Sequence, residues 1–174
     1  MRLRVLSKFK EGERGQALAE FGIIAVVFFM FTFGIMDGAR LFQSWMTVQH
    51  ASREGARYAI TGLATCAGAA NRTDCIEWTA KKATTGLTRG GPSALDADVN
   101  VSYTAWDYNT WSGGGTADAT GKPCDQIEVT VTYNHKFVTP FLEAVAPSGV
   151  TIKGQQRMTN EPWGACSPGD GVTP

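Results

Sequence analysis

Few side chains in this sequence could do chemistry, and the most unusual of them is a carboxylate. Glu20 stands inside residues 14–38, RGQALAEFGIIAVVFFMFTFGIMDG, and no further charge follows it until Asp37. An acidic group costs about 2.5 kcal/mol or more at mid-membrane depth, so its presence in such a run asks for a reason. The four cysteines, Cys66, Cys75, Cys124 and Cys166, offer either disulfides or a metal site. Zinc fails on spacing, because there is no CxxC pair and His50 and His135 lie far from the cysteines in sequence. Two disulfides remain, with three possible pairings. The favoured pairs are Cys66–Cys75, close in sequence, and Cys124–Cys166, which would tie a strand to the tail. Groups for catalysis do not assemble: there is no nucleophile elbow, no HExxH and no phosphate-cradling glycine loop. Asp96 with Asp98, and Asp118 with Asp125, fall in Gly/Thr-rich stretches where such pairs are usually solvated turn residues. The expectation is a protein that is not an enzyme and has no cofactor or metal.

The elements that must position these groups begin with an anchor. The chain has 174 residues, enough for one modest domain plus a membrane segment but not for two full cores. Its formal net charge is zero, so no long-range field marks a nucleic-acid partner. Charge is unevenly spread, with Arg2, Arg4, Lys8, Lys10 and Arg14 ahead of the apolar run against Glu11 and Glu13. By the positive-inside rule the N-terminus stays cytoplasmic and the residues after Asp37 face outward. A cleaved secretory signal would show an apolar core of about 7–15 residues and then a small-x-small site. This core is longer, and the triplets that follow it fit that site poorly. A transmembrane anchor fits better. Charge-free residues 21–36 make about 24 Å of helix, against a hydrocarbon core about 30 Å thick. Residues 17–20 must then enter or approach the bilayer, which puts Glu20 near its inner boundary.

Gly15-Gln16-Ala17-Leu18-Ala19-Glu20-Phe21, after a short basic leader, resembles a type IV prepilin processing site. Phe21, directly after the glutamate, resembles the Flp/Tad subclass. Further on, residues 49–59, QHASREGARYA, resemble the Arg-Glu-Gly-Ala-Arg segment of TadE-like pilus assembly proteins. The resemblance fades after Gly62. It implies that a prepilin peptidase cuts after Gly15 on the cytoplasmic side, leaving Gln16 as the mature N-terminus. It also implies that Glu20 neutralises the new ammonium at Gln16 of a neighbouring subunit. The partners it implies are the peptidase, other pilin or pseudopilin subunits, the membrane assembly machinery and the lipid bilayer.

Past Asp37 the same helix should continue, because Leu41, Trp45, Val48, Ser52, Gly55 and Ala59 recur at spacings of four and three. Gly62 is its expected C-cap, and Gln16 its expected start. Small residues at spacings of four, Gly34 with Gly38 and Ala51 with Gly55 and Ala59, allow close backbone approach. They could serve intersubunit packing, docking of the chain's own domain, or both. Asp74 with Glu77 predicts a capping box for a second helix with Ile76, Ala80, Ala83 and Leu87 on one face, ended by Gly86. From Asp96 the period changes to two. Val99, Val101 and Tyr103, then Ile127, Val129, Val131 and Tyr133, then Val150 and Ile152, predict about three antiparallel strands. Residues 139–146 read as a short helical turn between the last two. Trp106, Tyr108 and Trp111 fall in a Gly-rich loop over residues 104–123, a candidate contact surface if they do not simply cover the sheet.

The expected fold is therefore α+β: a long N-terminal transmembrane helix, then a small pilin-like domain with one further helix and a small antiparallel sheet. Residues 1–15 would be the leader, 16–62 the helix and 63–174 the extracytoplasmic domain. With the resemblance, the expected function is that of a pseudopilin or minor pilin in the bacterial inner membrane, or carried into the pilus itself. The alternative is an uncleaved single-pass protein that binds a ligand through the Trp106–Trp111 loop.

Overall fold

The computed structural model describes residues 8–87, 98–108, 113–164 and 166. Helix α1 runs unbroken over Lys8–Ile60, 53 residues, which at 1.5 Å each is about 80 Å. No proline interrupts it, and leader residues continue into it ahead of Gln16. It ends as the sequence suggests. Thr61 N–H bonds Tyr58 O, and Gly62 takes φ +68°, a left-handed conformation that favours glycine. The ring of Trp163 closes over Gly62, leaving no room for a Cβ there.

Helix α2 spans Arg72–Ala83. Its cap lies one turn earlier than the Asp74/Glu77 pattern suggests. Asn71 is the N-cap, its side-chain oxygen accepting from Asp74 N–H and from the Thr73 hydroxyl. Its side-chain amide in turn donates to the Asp74 carboxylate at 2.8 Å, so Asp74 holds the capping side chain in place. The helix stops at Thr84 rather than Gly86, with the Thr84 N–H turned back to Lys81 O. The loop before α2 is closed by a disulfide between Cys66 and Cys75.

Four antiparallel strands follow, β1 Val99–Trp106, β2 Thr116–Ala117, β3 Gln126–His135 and β4 Val150–Thr159, in the order β2-β1-β3-β4. Strand β2 is the addition to the expected sheet. It has two residues, paired Thr104↔Ala117 and Ala105↔Thr116, too short to leave an alternation in the sequence. The long strands pair in a single register through the core, with Val131 between Val101 and Gly154. Between β3 and β4, helix α3 occupies Pro140–Val145.

The sheet and helices make two layers. Val99, Val101, Ile127, Val129, Val131, Tyr133 and Ile152 point to one face and bury against Val48, Ala51, Ala56 and Ala59 of α1 and Ile76 and Ala80 of α2. The other face carries Glu128, Thr130 and Gln155, joined by side-chain hydrogen bonds. The core thus includes the second half of α1, and the domain cannot be assembled without it. Burial of these aliphatic chains, about 1.5–3 kcal/mol for each large one, holds helix and sheet together.

Candidate functional site

The first half of α1 is bare. The helix is long and apolar enough to cross a membrane: an 18-residue window in Gly15–Ile60 has mean hydropathy 2.2 and no buried residue. Leu18, Phe21, Ile24, Phe28 and Ile35 are all exposed. The lone polar side chain of residues 21–36, Thr32, returns its hydroxyl to Phe28 O at 2.8 Å, so the helix meets its surroundings with no unpaired side-chain donor in that run. One apolar N-terminal helix of this kind fits a single-pass membrane protein. At its start Glu20 is exposed and accepts from the Gln16 amide at 3.2 Å, one helical turn away. Gly15 is helical and open, with nothing within 4 Å of the position a Cβ would take. Gly34 and Gly38 are equally unobstructed.

The bare segment ends where the domain takes hold, and the grip is Asp37. This carboxylate is 2 % exposed. It accepts from the Thr139 hydroxyl, from Thr139 N–H at 3.0 Å and from Val138 N–H at 3.4 Å. Thr139 is the N-cap of α3 and makes no cap bond with its own side chain; Asp37 instead fixes the two residues that lead into the helix. Burial pushes the Asp37 carboxyl upward. The Thr139 hydroxyl, the two N–H groups and nearby Arg40 outweigh that push and hold it below the usual aspartate value. Two turns along, Ser44 donates to Arg40 O at 2.9 Å and lies 3.1 Å from His135 Nδ1. With the single Ser44 hydrogen committed to Arg40 O, His135 donates through Nδ1–H, and its buried Nε2 is left without a partner. Burial, then Arg40, depress the His135 pKa, opposed by Asp37.

The small residues divide at this grip. Ala51, Gly55 and Ala59 lie under the chain's own domain, and a Cβ on Gly55 would stand 3.1 Å from both Ala80 Cβ and Val129 Cγ1. Gly154 of β4 meets α1 backbone to backbone, its added Cβ falling 2.6 Å from Val48 O. Gly34 and Gly38 belong to no such contact.

The remaining candidate residues are structural in their surroundings. Cys124 is joined to Cys166, linking the turn before β3 to the tail. Arg72 donates to Ala59 O at 2.8 Å and Gly121 O at 2.9 Å, with its guanidinium 4.6 Å from the centre of the Trp163 ring. It neutralises a carbonyl at the end of α1 and ties four segments together. Trp106 belongs to β1 and is half-buried, covered by the Arg157 guanidinium at 3.9 Å and packed against Gly115. Tyr108 follows it, its N–H donating to Asp125. Trp111 and Asp96 lie outside the described residues. Asp125 also accepts from Lys122 N–H at 2.7 Å, which makes it the organiser of the turn before β3. Among the described residues no three His, Cys, Asp or Glu groups come together as a metal site.

Asp37 and His135 are the site residues that sequence reasoning missed. Asp37 was legible as the charge that ends the apolar run, but its partners are about a hundred residues away. Nothing local to His135 distinguishes it from an ordinary inward-facing strand residue.

Residues 15–57 match the family model described as TadE-like protein. The match starts at Gly15, ends at Arg57 and lies wholly in α1, so it bears out the TadE-like resemblance and is silent on the sheet domain. No curated protein and no solved structure matches the chain.

Proposed function

We propose that this chain is a pseudopilin or minor pilin that supports assembly of a Flp/Tad-type pilus. The observation that carries the reading is the division of α1: within residues 37–60 one face packs on the chain's own domain, with Phe42, Trp45 and Met46 left exposed, whereas 15–36 are left bare, apolar and headed by Glu20. The TadE-like match to that same helix suggests a pilus-associated subunit. In this reading residues 1–15 are a cytoplasmic leader, 16–62 the anchoring helix and 63–174 a domain outside the bacterial inner membrane. A prepilin peptidase cuts after Gly15 and frees an ammonium on Gln16.

An unpaired ammonium and an unpaired carboxylate are both costly near hydrocarbon. Within one chain Glu20 lies one turn from Gln16; across two chains it meets the Gln16 ammonium of a neighbour, which relieves both charges and sets the axial register between subunits. Phe21 and the open face at Gly34 and Gly38 then pack against other pilin subunits or the assembly machinery. The reaction chemistry belongs to the peptidase; this chain is its substrate and a structural part. The contact-loop alternative is less well served, because Trp106 already lies between Arg157 and Gly115.

Glu20→Gln tests the pairing. It removes the charge but keeps an acceptor for the Gln16 amide, so insertion into the membrane should be unchanged while assembly into pilus or pre-pilus complexes is lost. Normal assembly of that variant overturns the charge-pairing step.

A further inference from the structure

The domain's exposed apolar side chains are not scattered. Outside α1, the large hydrophobic residues that stand open are Leu63, Val138, Phe141, Val145, Val150 and Trp163 among the described residues. Three of these six, Val138, Phe141 and Val145, come from the connection that carries α3, between β3 and β4, and Val150 opens β4 directly after it. Helix α3 buries no residue at all. Its exposed Phe141 and Val145 stand one turn apart on one face, and at about 100° per residue Glu143 points to the opposite side.

The placement of α3 gives this face its meaning. Val138 and Thr139 are held at the level of Asp37, and the chain then lies beside the bare half of α1. Thr139, Pro140, Phe141 and Leu142 face Met30, Phe31 and Phe33 to Ile35 across an open apolar cleft. If hydrocarbon ends near Met36, Met30 lies about 9 Å below that boundary. The turn that descends alongside it brings few bare donors: Pro140 has no N–H, and Asp37 takes those of Val138 and Thr139.

We propose that α3 is a second membrane contact, wedged into the leaflet on the domain side with Val138, Phe141 and Val145 among the acyl chains. The cleft between α3 and residues 30–35 is then filled by lipid. The occupant follows from continuity, since the α3 face extends the same apolar surface by which α1 is anchored. Two attachments, one spanning and one wedged, fix the tilt of the domain on the membrane. This inference rests on α1 being the membrane anchor, and does not depend on cleavage or on pilus assembly.

The test is NMR on the full chain in phosphatidylcholine/phosphatidylglycerol nanodiscs. A doxyl label on the acyl chain is used in one sample and a water-soluble gadolinium chelate in another. The lipid label should remove the signals of Phe141 and Val145 as strongly as that of Ile35, while gadolinium leaves them intact. Phe141→Ser combined with Val145→Ser should abolish the lipid effect at Val138 and leave Ile24 and Val129 unchanged. Loss of the Phe141 and Val145 signals to gadolinium, with Ile24 still reached by the lipid label, overturns the wedge and spares the anchor. Protection from both reagents assigns the face to a second copy of the chain and also overturns the proposal. An Ile24 signal untouched by the lipid label brings down anchor and wedge together.

Discussion

Asp37 and His135 are the ionisable groups where the domain grips α1, and their surroundings act on their protons through different means. Asp37 is kept charged by three donors from Val138 and Thr139, just ahead of α3. Asp37→Asn keeps one acceptor oxygen and loses the charge, so about 2–3 kcal/mol should disappear from this contact. Amide exchange at Val138 and Thr139 is the direct readout: it should speed up markedly while Val129 and Val131 stay protected. His135 is kept neutral, since its pKa in the fold lies below the ordinary histidine value. The unfolded chain therefore binds more protons than the folded one once pH falls below about 6.5, and stability drops until the folded pKa is passed. Thermal unfolding should show a lower Tm at pH 5 than at pH 7.5, and His135→Gln should flatten most of that difference. An unchanged pH slope in the variant would remove His135 from the account.

Between elements, contact is governed by residues that lack side chains. Gly55 sits so close to α2 and β3 that a Cβ added there would stand only 3.1 Å from Ala80 Cβ and from Val129 Cγ1. Gly55→Leu should force α1 off α2 and β3 and cost about 3 kcal/mol or more in overpacking and lost core contact. The measurement is denaturant unfolding in detergent, where a midpoint like that of the unchanged protein would contradict the packing described. Much of this arrangement was legible in the sequence. The spacing of Leu41, Trp45, Val48, Ser52, Gly55 and Ala59 marked one face of α1, of which Val48 to Ala59 docks on the domain while Trp45 stays exposed, and the alternation around Val101 and Val129 marked β1 and β3, because both patterns are local and repeat. Strand β2 was not legible, having two residues and its pairing supplied entirely by β1. The cap of α2 was misplaced by a turn because Asn71 and Glu77 both offer plausible capping partners for Asp74. The Asp37–Thr139 clamp was invisible for a physical reason: a long-range hydrogen bond leaves no periodic trace.

At the scale of the whole molecule, one helix serves two media. Its first half is exposed and apolar; its second half supplies Val48, Ala51, Ala56 and Ala59 to the domain core. The domain is thus continuous with the anchor rather than tethered to it, and any force or registration applied to α1 reaches the sheet directly. Two disulfides, closing sequence separations of 9 and 42 residues, tie the loop before α2 and the tail to the packed elements. In the chain-entropy picture these loops contribute about 2.5 and about 4 kcal/mol. Such an architecture suits a subunit that leaves lipid for a filament, because its domain fold does not depend on what surrounds residues 15–36.

Pilin-like assembly of this chain, as proposed, requires removal of residues 1–15. The most direct test of that removal is the intact mass and N-terminal residue of the protein recovered from membranes of its native host. The account predicts a chain that begins at Gln16, and an uncut chain beginning at Met1 when Gly15 is replaced by alanine. A chain still beginning at Met1 without that substitution, in cells with an active prepilin peptidase, would contradict it.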